Sequence, residues 1–335
     1  MTDLSIVIVN YKTPGLVLDC LFTVYKESPG LRFEVLVVDN ASGDNSRELI
    51  LADYPDVHWI QMDYNAGFAR ANNAAIRIAR GQSVLLLNSD TLVENKAIER
   101  NYQLFANSNY IACGVQLLNA DRSPQISGNF FMRGGLNYLL PLPFIGQWVK
   151  SAGNLFKVAA PNVAEASSEV SVDWINGAYL MVKKTAIDKA GLMDEDFFLY
   201  AEEAEWCSRL GKYGKMCIYG QFHIVHLQGE SSNEAFGSSG KGYYNLYDRK
   251  GLQIMLSNFV RIRKQCGVAW FLVQLFFYLV EIPVFFVGVL ISLVAGARHR
   301  QYSFRQFRQY CKNIFIVAGL SFRIISNKPY FYKVL

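Results

Sequence analysis

The chain lacks the cysteine patterns that would dictate its chemistry. Six cysteines (Cys20, Cys113, Cys207, Cys217, Cys266 and Cys311) are scattered over 335 residues with no CxxC pair and no histidine or cysteine at zinc-ligand spacing. That excludes a disulfide scaffold and a zinc module, and the six read as small core residues of a reducing compartment. No GxGxxG follows the first apolar run and no GxxxxGK[ST] occurs anywhere, so dinucleotide and Walker-type phosphate cradles have no support. The opening MTDLSIVIVNYKT has no basic stretch ahead of its short apolar run; a cleaved secretory leader is not expected, and the body of the protein should stay in the cytoplasm. A net charge of +5 is too mild to imply nucleic acid. Acidic residues are missing where the chain ends: from Gly296 onward there are eight basic side chains and no acidic one, which leaves 25 basic against 28 acidic in residues 1–295.

What is abundant is apolar. At 51% apolar and 18% charged residues the chain can bury a large core, so disorder, collagen and coiled coil are excluded as overall classes. Its length suits two domains or one large domain with an appendage. Short apolar runs at Leu4–Val9, Phe33–Val38, Val57–Met62 and Val84–Leu87 alternate with helix-length segments such as 66–80, where Phe68, Asn72, Ala75, Ile76 and Ala79 fall at helical spacing. This alternation predicts an α/β fold with a mostly parallel sheet covered by helices on both faces. Ligands of such sheets bind outside the carboxyl ends of the strands.

Those ends are polar. They read Asn10-Tyr11, Asp39-Asn40-Ala41-Ser42-Gly43-Asp44, Asn65-Ala66-Gly67-Phe68 and Asn88-Ser89-Asp90-Thr91. Helix capping by Asp44, Asp90 or Thr91 accounts for any one of them, whereas four on one edge point to a site. Without a glycine-rich cradle, phosphate charge has to be met by a metal. A carboxylate at a strand end suits Mg²⁺ or Mn²⁺ bridging a diphosphate, and Asp90 is the candidate.

The motifs SIVIVNYKT, VVDNASGDNS, NAGFARANNAAI and LLLNSDT, followed by WINGAYLMVKK, MDEDFFLYAEEAEWCSRL and HLQGESS, resemble the bacterial family 2 glycosyltransferases, especially the rhamnosyltransferase-like branch that builds cell-surface polysaccharides. The resemblance covers roughly residues 3–260. It implies a GT-A fold, a nucleotide-sugar donor (dTDP-rhamnose or a UDP-sugar), Mg²⁺ or Mn²⁺, and inversion at the anomeric carbon. It places Asn10, Tyr11, Asp39, Asn65, Gly67, Arg70, Asn88, Ser89, Trp174 and Gly177 at the donor, with Asp39 on a pyrimidine and Trp174 and Gly177 beside the sugar. Asn88-Ser89-Asp90 stands where the family has its metal-binding DxD; Asn88 replaces the first acid, and the metal falls to Asp90. His226, in His-Leu-Gln-Gly-Glu-Ser, would lie beside the diphosphate within reach of the metal. On the residues alone, both His223 and His226 read as edge residues after a strand Lys215–Tyr219, and a bulge is the other reading of Gly177.

In LYAEEAEWCSRL, read as a helix, Leu199, Glu203, Trp206, Cys207 and Leu210 share one face. Glu203 is then an acid on an apolar stripe, where lost solvation raises its pKa toward the range of a general base. The resemblance puts the catalytic base at this position as an aspartate, so glutamate is a departure that extends the carboxylate by one methylene. A structural salt bridge to Arg209 or to a neighbouring helix is the competing account. A catalytically inactive nucleotide- or glycan-binding subunit of an assembly complex is the alternative to an enzyme.

The expected domains are 1–260, with a nucleotide-binding half 1–118 and an acceptor-side half 119–260, and a basic, apolar helical region 261–335. Residues 119–171, with Gly134-Gly135, Pro141 and Pro143, read as a long insertion of little regular structure. From Val268 to Ala295 only Gln274, Glu281 and Ser292 are clearly polar, enough length to span a bilayer, but Glu281 and Pro283 divide the run in two. Arg261, Arg263 and Lys264 before it and Arg298, His299 and Arg300 after it favour both ends inside, hence a re-entrant or in-plane pair of helices over one straight crossing; a buried helical hairpin of a soluble protein is the competing account. A basic helix with Phe304, Phe307, Cys311, Ile314, Phe315 and Ala318 at helical spacing follows, a pattern suited to an anionic membrane surface or to a core contact. Together these predict a transferase at the cytoplasmic face of the bacterial inner membrane, using a lipid-linked (polyprenyl diphosphate) saccharide acceptor and no nucleic acid.

Overall fold

The computed structural model describes residues 2–227, 245–294 and 302–334. The chain divides into two compact units: Met1–Phe130, Asn162–Phe198 and Glu202–Ser231 form the first, and Phe131–Pro161, Leu199–Ala201 and Ser232–Leu335 form the second. The second therefore takes in 131–161 and 232–260 besides the expected 261–335. Gln228 to Ser232 of the HLQGESS motif, and the basic cluster Arg298–Arg300, lie outside the described residues.

The first unit is built on strands β1 (Leu4–Asn10), β2 (Phe33–Asp39), β3 (His58–Gln61), β4 (Ser83–Asn88), β5 (Thr91–Val93), β6 (Ala112–Leu118), β7 (Pro124–Gln125), β8 (Gly128–Asn129), β9 (Asn162–Val163), β10 (Glu169–Val172), β11 (Trp174–Ile175), β12 (Tyr179–Lys183) and β13 (Met216–His226). The main sheet runs β10-β13-β6-β12-β4-β1-β2-β3, with β5 on β13 and β7 on β6. Pairs β1–β2, β1–β4, β2–β3 and β6–β13 are parallel, while β12 lies antiparallel between β4 and β6. The chain steps from β1 outward to β3 and then returns to add β4 on the other side of β1. That reversal is the switch point beside which open α/β sheets bind ligands.

Side chains of the central strands alternate between two apolar layers. Ile6, Ile8, Val35, Val37, Leu85 and Leu87 enter one, together with Val17, Cys20 and Leu21 of α1 (Pro14–Glu27). Val7, Leu36, Val38, Val84 and Leu86 enter the other, with Ala69, Ala71 and Ala75 of α3 (Gly67–Ile76). Both faces are covered, as the near-continuous apolar runs required. Helices α2 (Ser46–Asp53), α4 (Ala97–Ala106), α6 (Lys184–Ala190) and α7 (Glu202–Leu210) complete the unit. All six cysteines are unpaired, and burial pushes the Cys20 and Cys207 thiols up to about 12, which leaves them inert.

Three sequence expectations are corrected here. Strand β13 continues from Met216 through a bulge between Tyr219 and His223 to His226, so both histidines lie in the strand rather than after it. Leu199 precedes α7 and is not on its face. The 119–171 insertion is more regular than its glycines and prolines suggested, because β7, β8, β9 and β10 pair within sheets and a further helix, α5 (Ile145–Leu155), forms.

The second unit contains α5, α8 (Arg249–Cys266), α9 (Val268–Val294) and α10 (Phe304–Ser326). Asp248 caps α8 by accepting from the Gly251 amide at 2.8 Å, and Ser303 with Gln306 forms a capping box on α10. The apolar run does not break in two: α9 is one helix with Pro283 inside it. Proline removes a single hydrogen bond, and Glu281 has its polar demand met from outside, since its two oxygens accept from the Phe144 and Ile145 amides at 2.9 Å each. Phe271, Gln274, Tyr278, Glu281, Phe285 and Val289 form a fully buried stripe, while Phe276, Val287 and Ile291 on the other side are 61%, 52% and 63% exposed. In α10 the buried row is Tyr310, Asn313, Ile314, Val317 and Ile324. Phe304 and Phe315 of the expected stripe are exposed.

Candidate active site

The site begins where parallel strands end in register. Asn10 stands beside Asp39, Asp39 beside Gln61, and Val9 beside Asn88, so one sheet edge carries all these polar ends. The Asp39 carboxylate is buried and fully engaged. Its Oδ1 accepts from Asn10 Nδ2 (2.8 Å) and Ser42 Oγ (2.5 Å), and its Oδ2 from the Ser42 amide (3.0 Å) and Gln61 Nε2 (2.7 Å). Two acceptances per oxygen use the normal capacity of a carboxylate; a nucleobase donor at Asp39 would have to replace Gln61. Tyr11 is half-buried next to this cage, with the Lys12 ammonium 5.5 Å from its ring centre.

The NAGF loop is fixed by side-chain amides and one glycine. Asn40 accepts from the Ala66 amide (2.7 Å) and donates to Asn65 Oδ1 (3.1 Å), and Asn65 Oδ1 also accepts from the Gly67 amide. Gly67 adopts φ +72°, and a Cβ on it would lie 2.0 Å from the Phe198 carbonyl oxygen; only glycine permits both. Phe68 donates its amide to that same carbonyl at 2.8 Å. Arg70 donates to the Glu195 carbonyl and to the Tyr64 hydroxyl, 2.9 Å each, so it braces this loop against 193–198. Asn65 and Arg70 thus hold the loop in shape.

Asn88, Asp90 and His226 converge because β5 pairs with the end of β13, setting Thr91 opposite His226. His226 Nε2 lies 3.4 Å from Asp90 Oδ1 and 3.3 Å from Asn88 Nδ2. The opposite ring nitrogen, Nδ1, lies 2.9 Å from Gln125 Oε1, and Gln125 Nε2 is committed to the His226 carbonyl at 2.6 Å. Gln125 therefore presents an acceptor, so Nδ1 carries a proton and Nε2 is the ring nitrogen turned toward the Asp90 carboxylate. An imidazole nitrogen beside a carboxylate oxygen, with the far ring nitrogen held by an outer acceptor, is a donor set that a divalent cation could use. Among the described residues no cluster of three or more His, Cys, Asp or Glu could hold a metal. Asp90 and His226 would supply two ligands and leave the rest to phosphate and water, the usual share for Mg²⁺ and acceptable to Mn²⁺. Replacing Gln125 by Leu frees the ring and its tautomer. Manganese affinity read by electron paramagnetic resonance is expected to fall by about 10-fold or more; unchanged affinity would exclude the orienting role. Ser89, between the two site residues, is buried.

Glu203 stands in the first turn of α7 with its carboxyl pushed up to about 7 by burial, against the pull of the Glu203 and Ala204 amides. The salt bridge open to this helix goes to Glu205, which takes the Arg209 guanidinium in a fork of 2.8 Å contacts. Glu202 and Glu205 are buried as well, so the three acids do not separate into buried and exposed. Gly177 sits in the turn between β11 and β12 rather than in a bulge. A Cβ built on it would lie 3.5 Å from the Phe68 ring and 3.6 Å from Glu203 Cβ, so the WINGA, NAGF and acidic motifs meet there. Trp174 is half-buried, and its strand pairs with β8 through Asn129.

Residues 5–145 match the model of Glycosyl transferase family 2. The chain carries a family 2 glycosyl transferase domain. It is 28% identical over 218 residues to a low-salt glycan biosynthesis hexosyltransferase of Haloferax volcanii, covering 62% of each chain, so just under two thirds of that relative is spanned. It is 27% identical to a dTDP-rhamnosyl transferase of Shigella flexneri over 70% of this chain and 73% of that one. It is also 27% identical to an N-acetylglucosaminyl-diphospho-decaprenol L-rhamnosyltransferase of Mycobacterium tuberculosis over 65% and 74%. A mannosyltransferase from Pyrobaculum calidifontis, solved with GDP-Man and Mn²⁺, shares the fold with a TM-score of 0.54 at 15% identity, over 95% of this chain and 86% of that one. The expected GT-A architecture is the one observed.

Within the family 2 domain, Ser42 and Gln61 were missed although they hold Asp39. Gln125, also within the matched residues, and Asn176, beyond them, were missed too; Asn176 Oδ1 accepts from the Ala178 amide at 2.9 Å and sets the turn at Gly177. Ser42 had a signal, the Asp-x-x-Ser spacing of a local side-chain turn. Gln125 had none, because its partner is 101 residues away. Glu203 and His226 lie outside the matched residues, so their assignment stands on geometry.

Proposed function

We propose that this protein is an inverting glycosyltransferase that moves a hexosyl group, rhamnose from dTDP-rhamnose or a sugar from a UDP-sugar, onto a lipid-linked saccharide at the cytoplasmic face of the bacterial inner membrane. The observation that carries the reading is the presence, in one unit, of the Asp90–His226 pair and of a buried Glu203 not used by Arg209. Glu203 accepts the proton of the acceptor hydroxyl while that oxygen attacks the anomeric carbon and the bond to the diphosphate breaks. Asp90 and His226 would hold the cation, which would supply positive charge against the departing diphosphate. Asp39, held by Asn10 and Ser42, receives the base in place of Gln61, and Phe68 with Gly177 borders the sugar. The relatives from Shigella and Mycobacterium, named for a dTDP-rhamnosyl donor and a diphospho-decaprenol acceptor, support these substrate classes. Exposed aromatic side chains on α9 and exposed aromatic and basic side chains on α10 support the membrane surface.

The test is a panel of dTDP- and UDP-sugars with a polyprenyl diphosphate saccharide, with and without Mn²⁺. Metal-dependent transfer with inverted anomeric configuration is expected. Tight nucleotide binding with neither transfer nor hydrolysis would favour a non-catalytic assembly subunit instead.

A further inference from the structure

Helix α5 belongs to the segment 131–161, which holds Arg133, Lys150 and Lys157 and no acidic residue. The helix buries one side at Ile145 and Gly146. On the other side Trp148, Leu155 and the adjoining Phe156 are 62%, 78% and 76% exposed, and Trp148 and Leu155, seven residues apart, share a face. Three large exposed apolar side chains, two on one helix face and the third just beyond its end, exceed what scattered surface residues account for.

The helix is held from its N-terminus. The buried Glu281 of α9 accepts from the Phe144 and Ile145 amides, and the Phe144 ring fills a notch at Gly288, where a Cβ would lie 2.2 Å from it. A carboxylate at a helix N-terminus is favourable both as hydrogen-bond acceptor and against the dipole. The same contacts fix α5 to the one helix of the described chain that is long and apolar enough to cross a membrane, by length and composition. The second unit therefore places a tryptophan-bearing, lysine-flanked amphipathic helix directly on its most apolar element.

We propose that the outward face of α5 is a second membrane contact, lying in the headgroup plane of an anionic bilayer with Trp148, Leu155 and Phe156 inserted and Lys150 and Lys157 on lipid phosphates. This rests on the membrane reading above and extends it to a segment that sequence analysis assigned to the acceptor side. Aromatic side chains with an apolar body and a polar edge settle at that depth, and basic flanks complement anionic headgroups. A second copy of the chain fits less well, since two such faces would oppose lysine to lysine.

The full-length protein, purified in detergent, is mixed with vesicles of phosphatidylethanolamine alone or with phosphatidylglycerol, and amide hydrogen exchange is followed over 145–158. Protection of these amides on vesicle binding is expected. The triple variant Trp148→Ser, Leu155→Ser, Phe156→Ser should bind vesicles about 10-fold or more weakly, and Lys150→Glu with Lys157→Glu should weaken binding only where phosphatidylglycerol is present. Nucleotide affinity should be unchanged in both. Vesicle binding that leaves 145–158 unprotected and the triple variant unaffected would overturn the role of α5 while sparing attachment through α9 and α10. Failure of the wild type to bind any vesicle would overturn the membrane reading itself. Loss of a dimer in the triple variant, with vesicle binding intact, would make the face a self-contact.

Discussion

Glu203→Gln is expected to lower turnover by about 10²-fold or more, the scale of a removed general base, while donor affinity persists. The same change should make the protein more stable above neutral pH. With its carboxyl pushed up to about 7 from an ordinary 4.5, the folded state binds a proton that the unfolded state releases. Stability from this group is complete below pH 4.5, falls as pH rises toward 7, and above 7 the folded state carries an ionised buried carboxylate. Glutamine cannot ionise, so the variant escapes that penalty. Rate measurements should show the wild-type kcat/KM rising with pH up to about 7 and that limb missing in the variant; thermal unfolding at pH 8 should show a higher Tm. A base that is catalytically required and structurally costly gives opposite signs in the two measurements, whereas a structural carboxylate would give the same sign. Glu202→Gln, in the same turn, should be milder on rate; the reverse order would refute the assignment.

Asp90→Asn should remove Mn²⁺-dependent nucleotide affinity, by about 10²-fold or more, with the fold retained. Asparagine matches aspartate in size but offers a neutral oxygen, and hard divalent cations depend on charged oxygen ligands. His226 then lacks the carboxylate 3.4 Å away. Calorimetric titration of nucleotide with and without Mn²⁺ reads the effect, and metal-free affinity should not change. Equal Mn²⁺ enhancement in both proteins would show that the cation sits elsewhere.

How much of this was legible in the sequence depends on the range over which each feature is determined. Strand ends such as Asn10, Asp39 and Asn88 were readable because an apolar run that stops at a polar residue is a local signal, and parallel pairing aligns such stops. Helical spacing put Glu203 on a buried face but did not show that Glu202 and Glu205 are buried as well; the release of Glu203 from Arg209 was readable, because Glu205 is four residues before that arginine and makes the better partner. The full engagement of Asp39 was not readable, since it needs Gln61 from a neighbouring strand. Nor was the continuity of α9. Glu281 and Pro283 look disruptive in isolation, but two backbone amides from 144–145 satisfy the carboxylate, and nothing near Glu281 in sequence announces them. Gln125 lies in a two-residue strand that periodicity cannot detect.

The antiparallel strand β12, wedged between β4 and β6, also governs the order in which the sheet can close during synthesis. Strands β1 to β4 leave the ribosome within the first 88 residues, and their parallel leaf can assemble then. Strand β6 follows by residue 118 but has no place beside β4, because that edge is reserved for residues 179–183. At about 5–20 residues per second, the apolar edge SVLLLN stays unpaired for roughly 5–20 s, exposed to any other strand in reach. Nascent chains stalled before residue 179 should consequently associate through β4, and those stalled once β12 is out should not.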